Sequence, residues 1–172
     1  MKHNTSPKWR RGAALLFIAA LGFASGVTVP TSAQAAANTQ LSGTSTLVAD
    51  CAGQTSALTM SMHGSLEGCW YTHGWEVLAS TPSGAYHERG TETFVGCLVA
   101  NGLALACGTL DTTYQFSGKF APSGAEIRGR CEHPFVVGSG TGGFKGATGR
   151  VDMKDDVVNG VALFRGHIAL AS

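Results

Sequence analysis

The sequence lacks an apolar run long enough to span a bilayer. Its most apolar stretch, residues 13–23, has eleven residues, whereas a membrane-spanning helix needs about twenty. Four basic residues, Lys2, Lys8, Arg10 and Arg11, precede this stretch, which is the arrangement of a secretory signal peptide. We therefore expect a cleaved signal instead of an anchor, and no membrane contact after cleavage.

A small-x-small triplet, Ala33-Gln34-Ala35, predicts the cleavage site. We predict a signal peptide over residues 1–35 and one β-barrel domain over residues 36–172, a length that suits one hydrophobic core. The protein is expected to be secreted (extracellular). The general secretory route is favoured, because the residues around Arg10-Arg11 match a twin-arginine signal poorly.

Basic charge is scarce in the predicted mature chain. The signal holds four of the twelve Lys and Arg residues and none of the eleven Asp and Glu residues, so eight minus eleven leaves a formal charge of −3. Nucleic-acid binding requires clustered Lys and Arg that displace counterions. The composition therefore argues against a nucleic-acid partner.

Metal-binding and redox patterns are also missing. The sequence has no Cys-x-x-Cys, the spacing typical of redox and zinc sites. Zinc sites also use histidines at short spacing, and the histidines of the predicted mature chain do not show it. They are His63, His73, His87, His133 and His167. We therefore predict no metal site and no cofactor.

The five cysteines are expected to form disulfides, as in other exported chains. Cys97 and Cys107 flank a loop with an Asn-Gly turn dipeptide, and they are predicted to close a hairpin. For the others, Cys69–Cys131 with Cys51 left over is the first choice, and Cys51–Cys69 is the competing arrangement. Because five is odd, at least one thiol is free or pairs with another chain.

No segment of the predicted mature chain shows the 3.6-residue apolar period of an amphipathic helix. Eight segments alternate like strands instead, with turn signals between neighbours. They cover residues 41–49, 56–63, 69–79, 85–98, 107–120, 126–137, 148–157 and 160–170. The pattern predicts an all-β fold, a barrel or a sandwich. We favour a single antiparallel eight-stranded barrel, because closure removes exposed sheet edges.

A glycine-rich segment, residues 138–150, joins the sixth and seventh predicted strands. It has six glycines and one large apolar side chain, Phe144. Glycine permits positive φ and close backbone approach, so we expect a tight path with Phe144 anchored against the body. A phosphate-binding loop is not expected, because no Gly-Lys-Ser/Thr follows and the next segment alternates like a strand.

Residues 140–149 read Gly-Thr-Gly-Gly-Phe-Lys-Gly-Ala-Thr-Gly. This resembles the Gly-Thr-Gly-x-Phe-x-x-Ala-x-Gly turn of the dirigent and allene oxide cyclase families, which are eight-stranded antiparallel barrels. The resemblance implies a cup that binds an apolar small molecule, often in a dimer or trimer, and that steers cyclisation or radical coupling inside the cavity. The cysteine-rich pattern departs from both families, and no catalytic residue is carried over from them.

Six charged residues on three consecutive predicted strands form one candidate site: Glu88, Glu92, Asp111, Arg128, Arg130 and Glu132. If Glu92, Asp111 and Arg128 face the barrel interior, they form a carboxylate–guanidinium cluster that can move protons, which makes them the catalytic candidates. Arg130 is a candidate for ligand binding on the same grounds. The alternative, which we favour, is solvated cross-strand pairs, because charged residues are seldom buried.

Aromatic residues form a second candidate site in the third predicted strand. Trp70, Tyr71, His73 and Trp75 lie within six residues of one another, and exposed aromatics beside a histidine suit stacking on a sugar or a planar ligand. The alternative, again favoured, is that they form the core of a small barrel, where aromatic burial contributes much of the stability.

Three functions fit these features. The first and favoured one is an exported barrel that binds a small apolar or amphipathic molecule, or a glycan. The second is a cyclase or isomerase of the dirigent or allene oxide cyclase kind, and the third is a filled barrel that interacts through its surface. An open interior with Glu92, Asp111 or Arg128 pointing inward favours the enzyme, and a purely apolar interior favours binding. A filled interior excludes both.

Overall fold

The computed structural model describes residues 38–171, which form a closed barrel of eight antiparallel strands. The predicted signal peptide lies outside the described residues. The strands are β1 (Thr39–Val48), β2 (Leu58–Gly64), β3 (Leu66–Ser80), β4 (Ala85–Ala100), β5 (Leu103–Phe120), β6 (Glu126–Pro134), β7 (Thr148–Asp156) and β8 (Val161–Ala169). The predicted all-β fold and the eight-stranded barrel are confirmed.

Pairing between the first and the last strand closes the sheet. Thr39 lies opposite Ile168, and Ser45 lies opposite Ala162. The remaining pairs all join strands that are consecutive in the chain, so the barrel is a simple up-and-down arrangement. Because side chains alternate along a strand, one set on each strand faces the interior and the other faces outward.

One end of the interior, which we call the base, is filled with side chains. Trp70, Phe94, Phe164 and Ile168 pack there with at most 1% of each residue exposed. Each such burial stabilises the fold by about 1.5–3 kcal/mol relative to an exposed side chain. The base lies at the end where β2–β3, β4–β5 and β6–β7 connect.

The glycine-rich connection between β6 and β7 covers the base. It contains a short 3₁₀ turn, Gly142–Phe144. The Phe144 ring is fully buried, 6.0 Å from the ring centre of Phe94. A Cβ on Gly143 would lie 2.8 Å from the Ala106 Cα, so β5 and the connection touch as only glycine allows. The predicted anchor is confirmed, and Phe144 closes the base of the barrel.

Two disulfides cross-link segments of the barrel wall. Cys97 and Cys107 lie opposite each other on β4 and β5 and are bonded, as predicted. Cys69 is bonded to Cys51, the competing arrangement. The predicted Cys69–Cys131 bond is wrong, because Cys69 faces outward on β3 whereas Cys131 lines the interior on β6 as a free thiol. Among the described residues, no helix has the length and apolar character needed to cross a membrane.

Candidate functional site

An open cavity of about 840 Å³, which we call the lumen, occupies the half of the interior away from the base. Its mouth lies at the opposite end from the base, where Leu47, Tyr86, Phe120 and Val157 line it. A volume of this size is within the range that holds a small organic ligand. The apolar residues of its wall are Leu47, Leu58, Met60, Phe116, Phe120, Met153, Val157, Val161 and Ala162.

Glu92 on β4 forms the floor of the lumen. Alternation turns its side chain inward, and only 3% of the residue is exposed. Thr72 and Thr112 lie directly opposite Glu92 on the two neighbouring strands. Thr72 Oγ1 donates to Glu92 Oε1 over 3.1 Å, and Thr112 Oγ1 donates to Oε2 over 3.2 Å. Trp70 Nε1 also donates to Oε2, over 2.7 Å, so three neighbours fix the carboxyl group.

Burial and hydrogen bonding act on Glu92 in opposite directions. Desolvation penalises the carboxylate and raises its pKa, whereas the three donors stabilise the carboxylate and lower its pKa. Desolvation is the larger effect, and it raises the pKa of Glu92 to about 7. A carboxyl group in this range can both donate and accept a proton near neutral pH.

His133 on β6 completes the floor. Its Nδ1 lies 3.3 Å from the Val151 carbonyl oxygen, and its Nε2 lies 3.4 Å from Glu92 Oε2. A carbonyl oxygen can only accept, so Nδ1 carries the proton of the neutral ring and the lone pair of Nε2 faces Glu92. Burial lowers the pKa of His133 to about 4. The pair is therefore a carboxylic acid beside a neutral imidazole, with one proton between them, until Glu92 ionises.

A second carboxyl group, Glu88, lies on the same face of β4, four residues from Glu92 towards the mouth. Tyr86 Oη donates to Glu88 Oε2 over 2.6 Å, and Tyr114 Oη donates to Oε1 over 2.9 Å. The hydrogen bond to Glu88 raises the pKa of Tyr86 to about 12, and burial is the main cause that raises the pKa of Tyr114. Both phenols therefore stay protonated at neutral pH and hold Glu88 as an acceptor.

Three more carboxyl groups lie near the mouth, on Glu126, Asp155 and Asp156. Burial, and then the neighbouring carboxyl group of Asp155, raise the pKa of Glu126 to about 7. Hydrogen bonds from Asn159 lower the pKa of Asp156. The lumen thus has carboxyl groups at its floor, on its wall and at its mouth.

The structure separates the charged candidates of the sequence analysis. Glu92 lies at the floor of the lumen, whereas Asp111 lies on the outer face of β5, where Thr93 Oγ1 donates to it over 2.7 Å. Arg128 and Arg130 line a concavity of about 1090 Å³ on the outside of the barrel. A single carboxylate–guanidinium cluster is therefore not formed, because the alternation of β5 and β6 turns these residues outward.

The aromatic candidates are also divided between the two faces of β3. Trp70 lies in the base and donates to Glu92. Tyr71 is buried on the outer face, where its hydroxyl donates to the Cys51 carbonyl over 2.6 Å. His73 Nε2 lies 2.7 Å from Thr93 Oγ1 on the outside, and Trp75 is 51% exposed there. Of this set, the structure brings only Trp70 to the floor of the lumen.

Sequence reasoning missed most of the polar groups that line the lumen. His133 is the main omission, because a histidine without a ligand-spaced partner gives no metal signal. One signal was present, since His133 lies midway between Cys131 and Phe135, two apolar residues with the same alternation in the sixth predicted strand. Thr72 and Thr112 could be found only from strand register, which the sequence does not provide.

Within residues 38–171, no group of three or more His, Cys, Asp or Glu side chains is arranged to hold a metal ion. A comparison of the chain with protein-family models finds no match, and a comparison with curated proteins finds none either. The assignment of function therefore depends on the geometry and chemistry of the lumen.

Proposed function

We propose that the barrel binds a small, largely apolar organic molecule in its lumen. The observation that carries this proposal is an open cavity of about 840 Å³ with apolar walls and a fixed polar floor at Glu92. Apolar walls favour binding by about 25 cal/mol per Å² of ligand surface removed from water. The few polar groups orient the ligand, which is the usual arrangement of a small-molecule site.

The proposal includes export of the chain. Two disulfides are consistent with an extracellular protein, because disulfides persist in oxidising compartments. The signal-like N-terminus adds support from the sequence. A secreted barrel of this kind would capture its ligand outside the cell.

A second candidate function is proton-transfer catalysis, and the pair Glu92 and His133 favours it. A neutral Glu92 can give its proton to an oxygen of the ligand, and the resulting carboxylate can take a proton from a neighbouring carbon. The two transfers leave the protein unchanged and convert the ligand into an isomer. The resemblance of residues 140–149 to dirigent and allene oxide cyclase barrels supports this candidate, and membership of that superfamily is part of the proposal.

The binding proposal is tested with N-phenyl-1-naphthylamine, a neutral apolar dye whose fluorescence rises on transfer from water. We expect saturable binding to the wild-type protein and loss of binding in Ala162→Trp, which fills the lumen from β8. Leu163→Trp is the matched control, because the next residue on the same strand faces outward and is 47% exposed. Equal binding by both variants, or none by the wild type, would contradict the proposal.

A further inference from the structure

We propose that the lumen selects a cationic ligand, namely a protonated amine on an apolar body. This inference depends on the proposed function of the lumen as a small-molecule site, and it names the class of ligand. It comes from the charges that line the lumen, from a buried oxygen that lacks an amide or hydroxyl donor in the described chain, and from the aromatic rings beside them.

The strongly charged residues that line the lumen are all Asp or Glu. Five of the eleven Asp and Glu residues line it, and in the described part of the chain no Lys or Arg does. The carboxyl groups belong to Glu88, Glu92, Glu126, Asp155 and Asp156. The histidine on the floor, His133, is neutral at physiological pH because burial lowers its pKa.

The basic residues of the described chain lie elsewhere. Five of the eight surround the outer concavity: Lys119, Arg128, Arg130, Lys154 and Arg165. Arg89 pairs with Glu76 on the outer face, and Arg150 pairs with Asp152. Lys145 is exposed in the connection that covers the base. After the hydrogen bonds from Asn159, Lys154 also attracts the Asp156 carboxylate at the mouth and lowers its pKa. The other four carboxyl groups of the lumen have no Lys or Arg partner within residues 38–171, so an anionic ligand would meet repulsion there.

One carboxyl oxygen of the lumen lacks an amide or hydroxyl donor in the described chain. Within residues 38–171, Glu126 Oε1 is buried and receives no hydrogen bond from an amide or hydroxyl group. Its carboxyl neighbour is Asp155, and burial, followed by a proton shared between the two groups, raises the pKa of Glu126. When both carboxyl groups ionise, the shared proton is lost, and the buried oxygen is left as an unpaired acceptor beside a second negative charge, which is unfavourable. An ammonium group supplies N–H donors and a compensating positive charge, so it satisfies this oxygen better than a neutral hydroxyl would.

Aromatic rings lie beside the carboxyl groups. Tyr86 contacts Phe120 with ring centres 5.6 Å apart and Phe116 with ring centres 6.2 Å apart, and its hydroxyl binds Glu88. Ring faces attract cations, and they also accept the apolar body of an organic amine. A carboxylate next to an aromatic cluster fits an organic cation better than a metal ion, which would be poorly solvated by the rings.

The inference also predicts a pH dependence. The groups that face the ligand are the five carboxyl groups, His133, Tyr86, Tyr114 and the Cys131 thiol. Glu92 and Glu126 have pKa values raised to about 7, so both gain negative charge as the pH rises from 5.5 to 7.5. A ligand amine with an ordinary pKa near 10 stays protonated over this range. Its affinity should therefore rise with pH, with release of protons from the protein.

The test compares three ligands with one carbon skeleton: 4-phenylbutylamine, 4-phenylbutan-1-ol and 4-phenylbutanoic acid. Each displaces the bound naphthylamine dye from the wild-type protein at pH 7.5. We expect the amine to bind about tenfold more tightly than the alcohol, a difference of about 1.4 kcal/mol, and the carboxylate to bind most weakly. Glu126→Gln should reduce the preference for the amine, whereas Glu132→Gln, an outward carboxyl group on the same strand, should leave it unchanged.

The outcomes separate this inference from the function on which it depends. If the alcohol or the carboxylate binds as tightly as the amine, the cationic ligand class is wrong and the lumen remains a small-molecule site. If the preference for the amine is the same in Glu126→Gln and Glu132→Gln, the Glu126 carboxyl group does not select the amine and the inference is wrong. If neither dye nor ligand binds, both proposals fail.

Discussion

At the scale of single residues, the floor of the lumen holds one proton between two groups that burial keeps uncharged. Desolvation raises the pKa of Glu92 and lowers that of His133, so the neutral acid faces the neutral ring. The contact of 3.4 Å between Glu92 Oε2 and His133 Nε2 is therefore not an ion pair near neutral pH. This arrangement makes Glu92 the residue at which stability and ligand chemistry are linked.

The variant Glu92→Gln tests the protonation state of the floor. Because the pKa of Glu92 is raised from 4.5 to about 7 on folding, its contribution to stability is fully present below pH 4.5 and is lost as the pH rises through 7. Glutamine has no such loss. The free energies of unfolding are measured by urea denaturation at both pH values. We expect the value for the variant minus that for the wild type to rise by on the order of 3 kcal/mol between pH 4.5 and 7.

Asp111→Asn is the control for this measurement, because it removes a carboxyl group from the outer face of the adjacent strand. Because this variant keeps Glu92, its free energy of unfolding should still fall between pH 4.5 and 7, as that of the wild type does. Parallel pH profiles for Glu92→Gln and the wild type would mean that folding does not raise the pKa of Glu92, and the assigned state of the floor would be wrong.

At this scale the sequence predicts which side chains share a face of a strand, because alternation alone decides that. Glu92 has the same alternation as Phe94 and Leu98, so its inward position followed once that set was buried. Whether a given set faces inward was not predictable, because both faces of β3 carry aromatic residues, Trp70 inside and Tyr71 outside. The neighbours that hold Glu92 depend on the register between strands, which local patterns do not specify.

At the scale of elements, the connection between β6 and β7 separates the functions of the two ends. Phe144 fills the base, and the lumen opens at the other end. We expect Phe144→Ala to lower the free energy of unfolding by about 3–5 kcal/mol, the usual cost of removing a buried phenylalanine side chain. The affinity for the naphthylamine dye should not change, because Phe144 does not line the lumen.

Val137→Ala provides the comparison within the same connection, since Val137 is 83% exposed. Its effect on urea unfolding should be within about 0.5 kcal/mol. A cost below about 1 kcal/mol for Phe144→Ala would show that the connection does not close the base. Loss of dye binding in the folded variant would show that base and lumen are not separate.

The strands themselves were largely predictable, and the differences in their bounds have local causes. The sixth strand was predicted to continue to residue 137, but it ends at Pro134, which has no backbone N–H for the ladder. The fifth begins at Leu103 instead of residue 107, because the Asn101-Gly102 turn adopts positive φ at both residues and lets the hairpin pair almost to its tip. Short-range alternation cannot resolve such ends.

At the scale of the whole molecule, the lumen is lined by carboxyl groups and by no Lys or Arg of the described residues, whereas the outer face carries charges of both signs. Most basic residues surround the concavity on the outer face. A formal charge of −3 for the predicted mature chain, taken from the sequence, gave no sign of this distribution. It appeared only when the register of β5, β6 and β7 placed Arg130 opposite Lys154 and Lys119 opposite Arg128 on the outside.

Secretion and assembly are whole-molecule predictions that follow from the sequence. Cleavage after residue 35 is tested by mass spectrometry of protein recovered from culture medium. The dimer or trimer implied by the family resemblance is tested by light scattering. Both stay predictions, and neither is needed for the lumen to bind a ligand.

The central claim is that ligands enter the lumen and reach its floor. The most direct test is a two-dimensional ¹H–¹⁵N spectrum of the mature protein during titration with 4-phenylbutylamine. Of its two tryptophans, Trp70 donates its indole N–H to Glu92 at the floor, whereas Trp75 is exposed on the outer face. The account predicts a saturable shift of the Trp70 indole signal and a constant Trp75 signal. A shift of Trp75 alone, or no shift of either signal, would contradict it.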